Sequence, residues 1–216
     1  MITYYYPSCK FTAFSPQSSQ KICDYLSKRF NMSIQGCCRP THQKMTAEDT
    51  AVCVCNTCAA ICSEDSSAQV KSLWEILQND DMFPFPDLHQ EPMTLQDCWR
   101  CYDRREEQDA VRRILKRMNV QIIELEENYE KTRFCGTSTH QALVKANADY
   151  APKRFIQNAA GMFIPKTEEE QKALMQEHCS HITTDKVICY CVPCTKGIQM
   201  GGKQGIHLLD LMFQNY

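Results

Sequence analysis

The sequence predicts an α/β protein built from two pseudo-symmetric, duplicated halves, each with a short, largely parallel sheet and cysteine-rich loops. Three pairs of matching stretches predict it. "DTAVCVCNTCAAI" from Asp49 and "DKVICYCVPCTKGI" from Asp185 each run an apolar stretch into a C-x-x-C pair. "ICDYLSKRFNMSI" (22–34) and "VRRILKRMNVQII" (111–123) each place apolar residues at helical spacing, then Asn31 or Asn119, then a short apolar run. "GCCRPTH" (36–42) and "FCGTSTH" (134–140) each close a cysteine cluster on a histidine. A unit that recurs in one chain is the first thing to weigh, and strands alternating with helices favour parallel pairing across helical crossovers.

Each half therefore reads, in order, as an apolar strand, a cysteine, a helix, a strand, a cysteine cluster with a following histidine, a strand and a C-x-x-C pair. The opening cysteines are Cys9 in "YYYPSCKFT" and Cys98 in "LQDCWRCYD". The first half spans 1–78, and "SAQVKSLWEILQ" is expected to close it as a helix. "NDDMFPFPDLHQEP", with three prolines, reads as a connector over 79–95. The second half, 96–216, carries an insertion over 141–180 that reads as decoration. In it, Thr167 and Glu170 fit a capping box at the start of "TEEEQKALMQEH". The mixed-charge "CYDRREEQDAVRRILKR" (101–117) predicts a helix with a solvated face. "GKQGIHLLDLMF" predicts a turn and then either a strand or a helix.

Composition narrows the chemistry. With 216 residues, 43% hydrophobic and 23% charged, the chain suits an ordinary globular protein. A net charge of −2 makes no electrostatic case for nucleic acid or an anionic membrane surface. No apolar run approaches the roughly 20 residues of a membrane span. "MITYYYPSCK" has neither a basic n-region nor an apolar h-region, so a cytoplasmic protein is expected. The anomaly is 15 cysteines. In a reducing compartment, thiols in C-x-x-C pairs point to metal ligation or redox work rather than to a disulfide framework.

Converging thiolates select zinc or iron–sulfur clusters over hard cations. The first half offers Cys9, the adjacent Cys37 and Cys38, and Cys55 with Cys58. Five thiols exceed what one tetrahedral ion needs, and vicinal cysteines diverge along an extended chain, so a multi-iron centre fits them better. The second half offers Cys98, Cys135, Cys191 and Cys194, with Cys101 as a candidate fifth thiol.

The order Cys, then a Cys-Cys-Gly-like element, then C-x-x-C, given twice, resembles the CCG domain of the B-type subunits of heterodisulfide reductases. The tail "YCVPCTKGIQMGGKQGIHLLDLM" is similar to the segment that follows the last C-x-x-C in that family. The resemblance implies that Cys9, Cys37, Cys38, Cys55 and Cys58 hold a 4Fe–4S cluster of noncubane type. It implies an oxidoreductase, or a subunit of one, acting on a thiol or disulfide substrate. The chain has no G-x-G-x-x-G and no ferredoxin-type cysteine run, so electrons would come from a partner, either ferredoxin-like or a flavoprotein. The chain departs from the pattern in three places: Arg39 follows Cys37-Cys38 where the family has glycine, the spacing from Cys38 to Cys55 is shorter than the family's, and Phe134 takes the first cysteine of the second pair. With four thiols, the second site suits an iron–sulfur cluster or zinc equally.

From another class, a zinc-bearing structural or interaction module with four-cysteine sites accounts for the paired C-x-x-C motifs. Thiol–disulfide exchange without metal accounts for the C-x-x-C pairs but leaves Cys9, Cys98 and Cys37-Cys38 unused. His42 and His140, at matching places, are candidate proton donors or partners to a cluster sulfur, with turn-capping as the plain alternative. Cys53 and Cys189 sit on the expected strands, where packing competes with ligation. Cys23 is expected to pack in the core on the apolar side of the first helix, and Cys62 and Cys179 to be spare thiols. His207 is expected to be structural, and Arg39 either balances charge or is solvated.

Overall fold

The computed structural model describes residues 1–214. The chain divides into two compact units. The first comprises Met1–Ile76 together with Leu143–Ala160, and the second Leu77–Ala142 together with the described chain from Gly161 onward. Residues 143–160 of the insertion thus pack with the first unit.

In the first unit, β1 (Thr3–Tyr6) leads through α1 (Cys9–Phe14) and α2 (Pro16–Phe30) to β2 (Ser33–Ile34). Then α3 (Cys38–Thr41), β3 (Thr50–Cys53), α4 (Asn56–Asp65), β4 (Gln69–Ser72) and α5 (Leu73–Leu77) follow. The strands form one sheet in the order β2-β1-β3-β4, and every pairing is parallel. In the second unit β5 (Pro92–Gln96), α6 (Arg105–Arg117), β6 (Gln121–Glu124), α8 (Glu168–Ser180), β7 (Lys186–Cys189), α9 (Val192–Met200), β8 (Gln204–His207) and α10 (Leu208–Met212) repeat the plan. The sheet order is β6-β5-β7-β8, again all parallel. The remaining helix, α7 (Lys145–Tyr150), belongs to the inserted part of the first unit.

The two α/β halves expected from sequence are therefore present, and their registers coincide. Tyr6 pairs with Cys53, and Gln96 pairs with Cys189. Cys53 in turn pairs with Ser72, and Cys189 with His207. Asn31 and Asn119, which follow the matching helices, both take left-handed conformations, at φ 51° and 56°. Asparagine tolerates that geometry at a helix end, where the chain must turn back towards a strand.

Three local expectations are corrected or completed. Residues 69–72 of "SAQVKSLWEILQ" form β4, because an unpaired edge of β3 is available to them in register from Thr50 to Cys53. Helix α5 begins only at Leu73, where Ser72 Oγ accepts from Glu75 N at 3.2 Å. "GKQGIHLLDLMF" resolves the same way, into β8 and then α10. There His207 Nδ1 accepts from Leu209 N at 3.3 Å, and burial holds the His207 imidazole down to about 3. Helix α6 is not simply a solvated face. Arg105 and Asp109 make the expected pair at 3.2 Å, but Arg112 is buried. Its guanidinium forks onto Asp97 at 2.8 Å and Glu124 at 2.7 Å, under the Tyr129 ring. Removing one member of such a buried pair costs about 3–5 kcal/mol, since its partner is left charged and unpaired. The capping box is as expected: Thr167 N donates to Glu170 Oε2 at 2.8 Å, and Glu170 N to Thr167 Oγ1 at 3.2 Å.

In each sheet the chain moves outward from the first strand to its neighbour, then returns to the other side of that first strand. The gap between β1 and β3, and between β5 and β7, is a topological switch point, where open parallel sheets leave a crevice at the carboxyl ends of their strands. Cys9 follows β1, and Cys55 and Cys58 follow β3; Cys98 follows β5, and Cys191 and Cys194 follow β7. The fold thus brings thiols far apart in sequence to one end of each sheet.

Candidate metal centre

In the second unit the sulfurs of Cys98, Cys135, Cys191 and Cys194 all lie within 4.8 Å of one another, and all four residues are buried. The Cys98 and Cys135 sulfurs are 3.7 Å apart. Four thiolates at about 2.3 Å from one tetrahedral ion would be separated by about 3.8 Å. The donor set therefore fits a metal ion bound by sulfur alone. Cys135 accepts hydrogen bonds from Cys191, Cys194 and Cys98, which hold its thiol well below the ordinary range. Burial pushes Cys98 and Cys194 up. So many sulfurs in one dry pocket cannot all ionise unless a cation shares it.

Each ligand has an identifiable support. Cys191 caps α9 and Cys194 lies in its first turn, so both sulfurs sit at the positive end of the helix dipole. Cys135 is carried in by Gly136, whose φ is +54° and where a Cβ would come 1.8 Å from the Pro193 carbonyl oxygen. Only a residue without a side chain permits that approach. Asp97 and Tyr190, each directly before a ligand cysteine, are joined by a hydrogen bond: the Tyr190 hydroxyl donates to Asp97 Oδ1 at 2.7 Å. Tyr129 N and the Arg112 guanidinium also donate to the Asp97 carboxylate, at 2.8 Å each. This tie joins the loops after β5 and β7. Arg100, buried beside Cys135, donates to Ser138 Oγ at 2.5 Å and brings positive charge to the centre.

Cys101 stands outside the four-sulfur group. Its sulfur donates to the Cys98 carbonyl at 3.2 Å and lies 3.3 Å from the Tyr190 hydroxyl. Cys189 is buried at the end of β7 and stands outside the four-sulfur group. Cys179 donates to the Ile198 carbonyl at 3.6 Å. His140, the proposed proton donor of this half, ends the short turn Gly136–His140; burial and then Lys166 lower its pKa. Its carbonyl accepts from Lys166 N and Gln171 Nε2.

The first unit gathers its thiols differently. Cys58 is hydrogen-bonded to both Cys38 and Cys55, and donation to Cys38 holds the Cys38 thiol below its ordinary value. Cys9 feels the charges of Cys37, Cys55 and Cys38, although burial is the main cause of its raised pKa. Cys9 is exposed and Cys37 and Cys55 are half-buried, whereas Cys38 and Cys58 are buried. The five expected residues therefore face one region, but among the described residues only the second-unit four close to within 4.8 Å. A Cβ at Gly36, just before Cys37, would meet nothing within 4 Å.

His42 is wholly buried, with Nδ1 2.8 Å from the Cys38 carbonyl oxygen and Nε2 2.7 Å from Asp65 Oδ2. That bond is the main reason Asp65 titrates below an ordinary carboxylate. Both ring nitrogens are thus engaged, and His42 acts here as a clamp between the Cys38 turn and the end of α4. The insertion completes this corner. Tyr150 packs edge-on to His42 at 5.0 Å, and Arg39 donates to Asn147 Oδ1 at 2.9 Å. Glu64 accepts from Lys153 N and Arg154 N, at 2.7 and 2.9 Å. Arg39 is therefore tied to the insertion although half-exposed, and Cys53 is buried at the end of β3.

No family model, curated protein or solved structure matches the chain. Among the described residues, no helix is long and apolar enough to cross a membrane. That the second unit could hold a metal rests on the sulfurs themselves.

Proposed function

We propose that this chain is an iron–sulfur oxidoreductase, or a subunit of one, of the heterodisulfide reductase B type, with unlike centres in its two halves. In the second unit Cys98, Cys135, Cys191 and Cys194 would hold one zinc ion as a structural centre. In the first, Cys9, Cys37, Cys38, Cys55 and Cys58 would hold a 4Fe–4S cluster of noncubane type. The observation that carries this reading is the contrast at matching strand ends: four buried sulfurs at single-ion spacing, against five that include exposed Cys9 and half-buried Cys37 and Cys55. Structural metal sites are closed, whereas working sites keep an open position. A cluster puts its thiolates on separate irons and so needs wider sulfur spacing than one ion does.

When bound, such a cluster supplies one-electron transfer and an iron at which a substrate sulfur can bind. The chain's own residues would orient the ligands. Helix α4, capped by Cys55, would stabilise thiolates at its N-terminus, and His42 with Asp65 would fix the Cys38 carbonyl. The half-exposed side would admit a thiol or disulfide, and a ferredoxin-like or flavin protein would exchange electrons. With protein purified without oxygen, Cys37→Ser and Cys55→Ser should lose iron and the viologen-driven reduction of a disulfide while keeping zinc. Retention of both iron and activity in these variants would overturn the assignment.

The 3.7 Å sulfur spacing also favours a second reading, a zinc-bearing structural or interaction module. It differs in requiring zinc in both halves and no acid-labile sulfide.

A further inference from the structure

We infer that Phe134 fixes the second-unit centre at a single ion, by filling with a clamped aromatic ring the place where the duplicated first half carries a thiol. The inference rests on the proposed single-ion reading of that centre. The duplication sets "FCG" at 134–136 against "CCR" at 37–39, so Phe134 matches Cys37 and Cys135 matches Cys38. The backbone of Phe134 is fixed beside the centre, where its carbonyl accepts from Trp99 N at 2.8 Å, next to the ligand Cys98.

Its ring is held from two sides. It stacks on the His178 imidazole of α8, with centroids 4.0 Å apart and planes 14° apart. His178 is itself fixed, with Nε2 2.6 Å from Gln96 Oε1, and Gln96 Nε2 donates to the Asp97 carbonyl at 2.9 Å. On the α9 side, a Cβ at Gly197 would come 3.3 Å from Phe134 Cζ, so helix and ring are already in close packing. A ring offers no donor atom to a soft metal, and this one is stacked on His178 and packed against α9. Cys135 is then left as the only thiol of its pair, and the donor count stops at four. Helix α8, which the sequence marks only as part of an insertion, thereby gains a purpose: it brings the histidine that clamps the ring.

The test uses full-length chain carrying Cys55→Ser and Cys58→Ser, so that iron and sulfide report on the second unit alone. In this background the centre with Phe134 intact is expected to hold zinc without sulfide. Phe134→Cys, made alongside it and reconstituted without oxygen with ferrous iron and sulfide, is expected to take up iron and acid-labile sulfide and to absorb visible light. Zinc without sulfide in Phe134→Cys would overturn the inference while sparing the single-ion reading. Iron and sulfide already present with Phe134 intact would overturn that reading instead. Should Phe134→Cys fail to fold, Phe134→Ala decides. Loss of the ring is expected to speed zinc transfer to a chromophoric chelator by about tenfold, and an unchanged rate would overturn the inference.

Discussion

Cys194→Ser is expected to strip the second unit of its metal and to unfold it. The substitution removes one of four buried ligands and leaves Cys98, Cys135 and Cys191 crowded in a pocket from which water is excluded. Structural zinc contributes about 10–16 kcal/mol of apparent binding energy that exists only in the folded state. Whole domains are stable by only about 5–15 kcal/mol, so losing most of the metal term is enough to unfold this unit. Zinc content and limited proteolysis measure both effects, and the first unit serves as the internal reference. Cys189→Ser is the control: it lies three positions before Val192 at the end of β7, buried yet outside the sulfur group, and should keep its metal. A Cys194→Ser protein with full zinc and an unchanged protease pattern would rule out the four-sulfur centre.

Gly136→Ala should also be damaging, though less so, even though alanine is neither bulky nor polar. Two costs add. The left-handed backbone at φ +54° costs an L-residue about 1–2 kcal/mol. The new methyl group would also sit 1.8 Å from the Pro193 carbonyl oxygen, which is backbone and can move only by shifting the start of α9. Relief of such a clash typically costs about 1–3 kcal/mol, and here it pulls Cys135 away from Cys194. The expected outcome is a loss on the order of 3 kcal/mol in urea titration, together with metal lost to a weaker chelator than the native protein requires. Gly161→Ala separates the two costs. Its φ is +75°, yet a Cβ there would meet nothing within 4 Å, so it should show the backbone strain alone and keep the metal. Equal effects from the two substitutions would mean that close approach at Pro193 plays no part in holding the centre.

The duplication was legible because it is written in residue types that have few alternatives. Asn31 and Asn119 turn in the left-handed region at matching places, and the cysteines after β3 and β7 keep their C-x-x-C spacing because α4 and α9 start there. The strands β4 and β8 were obscured for a physical reason. Each is four residues long and runs straight into a helix, so an apolar stretch such as Val70 to Leu77 carries no clean period of either kind. The four second-unit ligands were visible in the sequence, but their supports were not. Asp97 and Tyr190 gave the single hint of standing immediately before ligand cysteines, and Arg112 read as one more charge on a solvated helix. Pairing across a sheet, not local pattern, brings these groups together. The stack of Phe134 on His178 joins a residue just before the insertion to one near its end, and nothing in the spacing announces it.

The same scaffold therefore holds its two thiol sets in different ways. The second is held by the close approach at Gly136 and by the Asp97–Tyr190 tie, with all four sulfurs buried. The first has Arg39 where the second has Gly136, and Val54 where the second has Tyr190. Its cysteines are held by His42, Asp65 and the packed insertion, and one side stays accessible.

The most direct test of unlike centres in one duplicated chain is the content of zinc, iron and acid-labile sulfide per chain after purification without oxygen. The account predicts about one zinc beside about four irons and about four sulfides. Two zinc ions without sulfide, or about eight irons with eight sulfides and no zinc, would contradict it.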